Sequence, residues 1–373
     1  MAFAQIVIES PSMQPTGGEI RNISIHEAMR AISETNSIAM DAFSQPYKKG
    51  KRIARTVLSI DDVTITSVVD ALRLISPTVI VLEGVALLPL IEPLRYAFPT
   101  TKLVVDFHNI EHQLLRDIDK ARIPKLLRCL TPVFHRNDWE DAYQADLKAG
   151  RLADAIWVCS ADDAKCARDM GIKSPIYVVP NPVPKWCEAL SVADHGDVFN
   201  LLFIGHLGYP PNKEAVRFLA RKVFPEVKSV LPETKLIISG RNPGKTMKTL
   251  IQRMEEAILI PNPSELLPVY NKSSCLILPI FEGGGTRIKV LEALSVGRPI
   301  IATEKAVEGI GLIPDIHYLK AQTSKQFCEQ IFRLHENPEL GLLLRNNGSE
   351  HIAKNYSAAA HYRAVESGLK LLL

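Results

Sequence analysis

The stretch from Phe281 to Thr303, FEGGGTRIKVLEALSVGRPIIAT, places three consecutive glycines before charged side chains. Glycines lack a Cβ, so their backbone N–H groups can approach a ligand closely, and the threonine after them is a good helix N-cap. Cations in the first helical turns oppose the helix dipole unless an anion is bound, and an inward-facing glutamate needs donors such as ribose hydroxyls. The pattern predicts a nucleotide-diphosphate pocket. It would be formed by Gly283, Gly284, Gly285, Thr286, Arg287, Lys289 and Glu292.

The alternative is a plain strand-to-helix turn, in which a neighbouring arginine or backbone N–H satisfies Glu292. The elements around the motif help to choose between the two. Short apolar, β-branched runs alternate with amphipathic ones such as residues 21–36, which is typical of doubly wound α/β domains with buried parallel strands. The same order restarts after a proline-rich segment, and 373 residues suffice for two domains. The predicted strands are residues 4–9, 78–83, 102–107, 155–160 and 176–180, then 199–206, 235–240, 275–280 and 298–303.

Two further motifs follow predicted strands, where ligands bind in open α/β sheets. Gly17 and Gly18 precede a helix, so their backbone N–H groups can face an anion. His108 and Asn109 follow the strand KLVVDF, and they could meet sugar hydroxyls. A capping cluster is the alternative there, and His112 is interpreted as structural.

Composition excludes several classes of protein. The net charge of +3, with one basic cluster at 47–55, gives no sign of a nucleic-acid partner. The six cysteines form no CxxC pair and no metal-like spacing with histidine, which favours reduced thiols in a cytoplasmic protein. No stretch reaches the ~18 apolar residues that a membrane span needs. A peripheral contact at the inner face of the membrane is left open.

The motif PIFEGGGTRIKVLEALSVGRPIIATEKAVEGI resembles the donor-nucleotide motif of retaining glycosyltransferases of the GT-B fold, in the subgroup with GGGTRxK before LEA, that is, glycosyltransferase family 4-like or group 1 enzymes. DFHNIEHQLLR, DAIWVCSADD, VVPNPVP, FIGHLGYPPNKEAVRFL and LIISGRNP add to the resemblance. The family implies two Rossmann-like domains that face each other across a deep cleft.

The resemblance also implies the division of the chain. Residues 1–183 would form the acceptor-side domain, 184–198 the linker and 199–354 the nucleotide-sugar-binding domain. Residues 355–373 would form a helix that crosses back to the first domain.

Residue by residue, the resemblance assigns the ribose contact to Glu292. The family's paired glutamate eight positions earlier is replaced by Gly284, and Glu282 is the nearest substitute. His206 stands where an arginine is usual, and Lys213 is an approximate match for the family's lysine. The resemblance also places the loop of Gly17 and Gly18 opposite the diphosphate, and it puts Gly240 among the nucleotide-sugar-binding residues. The catalytic candidates are therefore His108 near the sugar, and Arg287 and Lys289 at the phosphates.

The implied reaction moves a sugar from a nucleotide-diphosphate donor to a glycan, lipid-linked or small-molecule acceptor, with retention. Cations and N–H dipoles would stabilise the leaving diphosphate, so no metal or other cofactor is expected. Two other classes stay open: a nucleotide-sugar epimerase of the same architecture, and a non-catalytic relative that binds sugar nucleotides. The donor base and sugar, the acceptor and the oligomeric state cannot be read from the residues.

Overall fold

The computed structural model describes residues 1–12, 15–43, 56–123, 131–187, 198–284 and 287–373, with the backbone alone at 131–134. Apolar runs near the N-terminus form a first parallel sheet. Its strands are β1 (Ala2–Val7), β2 (Glu34–Ala39), β3 (Val79–Glu83), β4 (Lys102–Phe107), β5 (Ala155–Val158) and β6 (Ile176–Val178). They lie in the order β2-β1-β3-β4-β5-β6.

A second parallel sheet repeats this arrangement. Its strands are β7 (Leu201–Ile204), β8 (Leu236–Gly240), β9 (Ala257–Pro261), β10 (Cys275–Leu278), β11 (Ile300–Ala302) and β12 (Leu319–Lys320), and their order is β12-β11-β10-β7-β8-β9. The strand order reverses between β1 and β3 in the first sheet, and between β7 and β10 in the second. Ligands of open α/β sheets bind beyond the carboxyl ends of strands at such points.

Helices cover both sheets. The first domain carries α1 (Gly17–Ile32), α2 (Asp62–Ile75), α3 (Ile91–Ala97), α4 (Glu111–Arg122), α5 (Thr131–Leu152) and α6 (Ala161–Asp169). The second carries α7 (Pro210–Phe218), α8 (Phe224–Val230), α9 (Lys245–Gln252), α10 (Leu267–Asn271), α11 (Ile288–Ser295), α12 (Ser324–Glu336) and α13 (Pro338–Asn355). A π-helical turn at Leu219–Val223 joins α7 to α8. Short 3-10 turns occur at Met40–Ala42, Val85–Leu90, Lys185–Cys187 and Glu304–Ala306.

The last helix, α14 (Ala358–Lys370), packs on the first domain although it follows the second in sequence. Its Val365 and Leu369 lie in one buried cluster with Phe3 and Trp157 of the first sheet. The imidazole Nδ1 of His361 lies 2.8 Å from the Pro180 carbonyl oxygen, which fits donation to that carbonyl. The helix therefore fastens the end of the chain to the N-terminal domain. The domain boundaries stay a prediction.

The predicted α/β class with two Rossmann-like domains is confirmed, but local boundaries differ. The helix predicted at 21–36 starts at Gly17 and ends at Ile32, because ETNSIA forms β2. The sequence also missed β9 and β12. All three missed strands lie at sheet edges. The polar sequence of β2 and the two residues of β12 do not form the continuous apolar run that marks a buried strand, whereas the short apolar run of β9 was passed over.

Some sequence features lie outside the described residues: the basic cluster at 47–55, Cys129 and most of the linker. The other five cysteines are free thiols. Within the described ranges, no helix combines the length and apolar character needed to cross a bilayer.

Candidate active site

A cleft of about 610 Å³ lies between the two domains, at the point of strand-order reversal in the second sheet. We call it the donor cleft. It brings together five of the residues predicted from the sequence. These are Gly17, His206, Gly240, Lys289 and Glu292.

Lys289 and Glu292 lie one helical turn apart at the start of α11. Burial lowers the pKa of Lys289 to about 7, and the nearby Arg287 acts in the same direction. Burial raises the pKa of Glu292 to about 7, against the hydrogen bond from Tyr270 and the charge of Lys289. The Tyr270 hydroxyl donates to Glu292 Oε2 at 2.9 Å, and Lys289 Nζ donates to Asn212 Oδ1 at 3.1 Å. The ammonium and the carboxylate are thus held in place without pairing fully with each other.

Bare backbone forms the floor of the donor cleft beside the lysine. A Cβ on Gly240 would lie 1.7 Å from the carbonyl oxygen of Gly205, and the φ of Gly240 is +146°. A Cβ on Gly205 would lie 2.5 Å from Lys289 Nζ. Gly240 requires glycine because β7 and β8 end in close backbone contact beside the ammonium group, and Gly205, with a φ of +157°, leaves room for the side chains of Lys289 and Asn212.

Arg287 does not line the donor cleft. It occupies the N-cap position of α11, one residue later than the predicted Thr286, and its side chain makes no capping hydrogen bond. Its guanidinium is buried and donates to the carbonyls of Gly283 and Gly284, at 2.9 and 3.0 Å. Gly283 has a φ of +110°, so this turn requires glycine. Arg287 therefore holds the glycine loop in place through its backbone carbonyls.

His108 lies at the carboxyl end of β4, inside a buried charged network. Its Nε2 is 3.1 Å from Glu83 Oε2 and 3.3 Å from Asp106 Oδ2. Burial opposes a charge on the ring, but the hydrogen bonds to Asp106 and Glu83 outweigh it and raise the pKa of His108 to about 9. The other ring nitrogen, Nδ1, lies 3.5 Å from the position of a Cβ on Gly18. The ring thus turns Nε2 to the carboxylates and Nδ1 to the glycine loop after β1.

Glu83, Asp106 and His108 also place potential metal-ligand atoms within 4.8 Å of one another. Both Asp106 oxygens, however, already accept from Arg21, at 2.5 and 2.6 Å. Arg21 holds the pKa of Asp106 well below its usual range, against the effect of burial. The geometry fits an ion-pair network that orients the histidine better than a metal site.

The other predicted residues are dispersed. Lys213 lines a separate groove on the second domain. Glu282 is partly buried outside the lining of the donor cleft, and Gly284 lines a second interdomain cavity next to Leu114. His112 Nδ1 lies 3.0 Å from Asp146 Oδ2 within the first domain, which agrees with a structural role. Gly285 and Thr286 lie outside the described residues.

Sequence reasoning missed several residues of the site. Pro263–Leu267, the loop after β9, lines the donor cleft together with Trp186. The loop was missed with its edge strand, and Trp186 belongs to the segment predicted as linker. Glu83 ends the predicted strand 78–83, and this position at a strand end was the available signal. Arg21 lies on the predicted helix 21–36, and the sequence gave no signal of its place in the site.

Comparison with known proteins finds a family match to the second domain. Residues 198–337 match the family model described as Glycosyl transferases group 1. This region holds the second sheet and the donor-cleft residues of α11. The match covers less than half of the chain, and the fold of the whole chain is the GT-B fold.

The solved structures that resemble the chain are distant in sequence. Sucrose-phosphate synthase from Thermosynechococcus elongatus has a TM-score of 0.70 and 16% identity, over 100% of this chain and 98% of that one. HepE from Anabaena, in complex with UDP and glucose, has a TM-score of 0.69 and 12% identity, over 98% and 99%. The lipopolysaccharide outer core galactosyltransferase WaaB has a TM-score of 0.67 and 15% identity, over all of both chains. At these identities the likeness establishes the fold alone.

One curated relative is described as an uncharacterized 44.6 kDa protein in the cps region of Klebsiella pneumoniae. It is 24% identical over 173 residues, which are 44% of this chain and 45% of the relative. The match thus spans less than half the length of either protein.

Proposed function

We propose that the chain transfers a sugar from a nucleoside diphosphate donor to an acceptor hydroxyl, with the donor bound in the donor cleft. The observation that carries the proposal is the arrangement of Lys289 and Glu292 around the bare backbone of Gly205 and Gly240. An ammonium group and exposed backbone suit a diphosphate, and a buried carboxylate suits ribose hydroxyls. The family match supports this assignment, as does the UDP that HepE binds in a similar fold.

The roles follow from position. Glu292 accepts from the ribose, and the loop Pro263–Leu267 with Trp186 borders the base. Lys289 stabilises the negative charge that grows on the leaving diphosphate as the glycosidic C–O bond breaks. Gly17 and Gly18 close the other side of the diphosphate. In this proposal Arg287 shapes the glycine loop instead of contacting phosphate, and retention without a metal rests on the family resemblance.

His108 acts on the sugar in this scheme. The carboxylates at Nε2 favour the imidazolium, whose Nδ1–H can then donate to a sugar hydroxyl or to the departing oxygen. A protonated ring cannot serve as a general base. The proposed part of His108 is therefore to donate a hydrogen bond and positive charge.

The acceptor is assigned to the second interdomain cavity, of about 520 Å³, on the far side of the glycine loop. Asn109, Asp117, Ser160 and Gly284 are among its lining residues. Amide, carboxylate and hydroxyl groups are suitable partners for the hydroxyls of a glycan. A neutral polyhydroxylated acceptor fits this lining better than an anionic one.

A panel of UDP, GDP, ADP and TDP sugars tests the proposal, with products resolved by chromatography. We expect hydrolysis of one donor, or transfer to added glycans, and a loss of about 10²-fold in turnover for Lys289→Ala. Lys325→Ala, at an exposed and distant position, is the control and should act as wild type. Interconversion of isomers would indicate an epimerase, and binding without turnover a non-catalytic relative. Either result would overturn the proposal.

A further inference from the structure

A basic groove of about 530 Å³ lies on the second domain between α7 and α9. We define it by five cationic side chains, and no carboxylate is among the described residues that line it. The five are Lys213, Arg217, Arg221, Lys245 and Arg253. The groove shares no lining residue with the donor cleft, so the donor site does not account for it.

The cations arise from two rows with helical spacing. Lys213, Arg217 and Arg221 recur every four residues along α7 and the π-helical turn after it. Lys245 and Arg253 lie eight residues apart, at the start of α9 and just after its end. Residues four apart on a helix lie on one face, and like charges there destabilise the helix. The first row thus carries an electrostatic cost in the free protein.

None of the five cations forms an ion pair with a described carboxylate. Lys245 is the first residue of α9, where a cation opposes the helix dipole, and the N-cap Gly244 has no side chain to accept a hydrogen bond. An anion from outside the chain would relieve both conflicts.

We propose that the basic groove binds an anion with two or more phosphate groups. Three of the five cations are arginines, whose planar guanidinium groups bind phosphate oxygens in pairs. Such phosphates are carried by anionic headgroups at a membrane surface and by soluble oligophosphates. The site is separate from sugar transfer and does not depend on the function proposed above.

Charge reversal tests the groove. Arg217→Glu/Arg221→Glu removes two exposed arginines that have no part in the donor cleft. Lys325→Glu/Lys354→Glu makes the same change in net charge at exposed lysines of α12 and α13 and is the matched control. One arm measures co-sedimentation with vesicles of phosphatidylglycerol and phosphatidylcholine, against phosphatidylcholine alone. The other arm titrates tripolyphosphate by calorimetry.

We expect wild type to bind in at least one arm, with an affinity that falls as salt rises. The arm that responds identifies the source of the phosphates. Reversal should weaken binding at least about tenfold while the control binds as wild type. Binding in neither arm, equal binding by the reversal variant, or an equal loss in the control would overturn the proposal.

If the reversal variant does not fold, Arg217→Gln/Arg221→Gln replaces it. This variant removes repulsion without adding charge, and its melting temperature should equal or exceed that of wild type. The same weakening of binding is expected. Unchanged binding in this folded variant would also overturn the proposal.

Discussion

Lys289 and Glu292 are poised to change charge when a ligand arrives. Burial brings the pKa of each close to 7, from above for the lysine and from below for the glutamate. A diphosphate beside the ammonium would favour its charged form, and ribose hydroxyls would favour the carboxylate. The free cleft thus tolerates two buried ionisable groups that the donor is expected to charge.

Glu83 is a positioning residue for His108, and its effect on the charge of the histidine can be measured through the pH dependence of turnover. The His108 charge is present below a pKa of about 9 and is lost as pH rises through that value. Glu83→Gln removes one of the two carboxylates at Nε2, so the alkaline limb of the pH–rate profile should move down by about one unit or more. In this variant Asp106, which pairs with Arg21, remains as the other carboxylate at Nε2.

Turnover of the best donor from pH 6 to 10 gives that profile. Glu92→Gln, at an exposed glutamate of the same domain, should leave it unchanged. If Glu83→Gln keeps the wild-type alkaline limb, the histidine does not work as a cation. A purely structural role for Glu83 would lower stability without moving the limb.

The sequence predicted the types of the donor-cleft residues better than the directions of their side chains. Gly17, His206, Gly240, Lys289 and Glu292 meet in one cleft, as their positions after strands implied. Arg287 turns to the carbonyls of its own loop instead. Spacing along a chain does not show which acceptor a long side chain selects. The hydrogen bonds of Arg287 could therefore not be predicted from the sequence.

Elements were predictable where they are buried and difficult where they are exposed. KLVVDF became β4 with the predicted bounds, because a buried parallel strand is apolar along its whole length. The edge strand β2, ETNSIA, lacks such a run, whereas β9, AILIP, has a short one that the prediction passed over. The basic groove escaped for a related reason: its cations recur at helical intervals, and no run of like charges marks it.

The packing of α14 gives a prediction at the element scale. A Cβ on Gly368 would lie 2.8 Å from Nε1 of Trp157, whose ring is fully buried under the helix. A Cβ on Gly341 of α13 would meet Leu334 at an ordinary 3.6 Å. Gly368→Ala should therefore destabilise by about 1–3 kcal/mol through overpacking. Gly341→Ala should stabilise by roughly 0.5–1 kcal/mol through helix propensity.

Urea unfolding of the two alanine variants measures both free energies. The pair is matched, since each puts one methyl group into a helix near the C-terminus. Equal stabilisation by both would show that α14 does not press on Trp157. The tie between the end of the chain and the first domain would then be weaker than its contacts imply.

The whole molecule places its two domains against each other through few polar contacts. Asp117 of α4 accepts from the backbone N–H of Gly283 at 3.2 Å and lies 3.1 Å from Lys305 Nζ. The glycine loop of the second domain is thereby held to the first, next to the second interdomain cavity. Hydrophobic patterning predicted two domains, but local periodicity carries no information about the contacts through which separate cores dock.

In the proposed function, this cleft between the domains binds a nucleoside diphosphate through Glu292. Titration of UDP by calorimetry into wild type, Glu292→Gln and Glu329→Gln tests it directly. The glutamine oxygen can still accept from Tyr270, so the variant should fold. Glu329, exposed on α12, is the control for the same substitution.

We expect UDP to bind to wild type and to Glu329→Gln alike. Glu292→Gln should weaken binding by roughly 1–3 kcal/mol, the range for a hydrogen bond to a charged group. A folded Glu292→Gln protein with wild-type affinity would contradict the claim. The claim would also be contradicted if wild type bound none of UDP, GDP, ADP and TDP, each titrated in the same way.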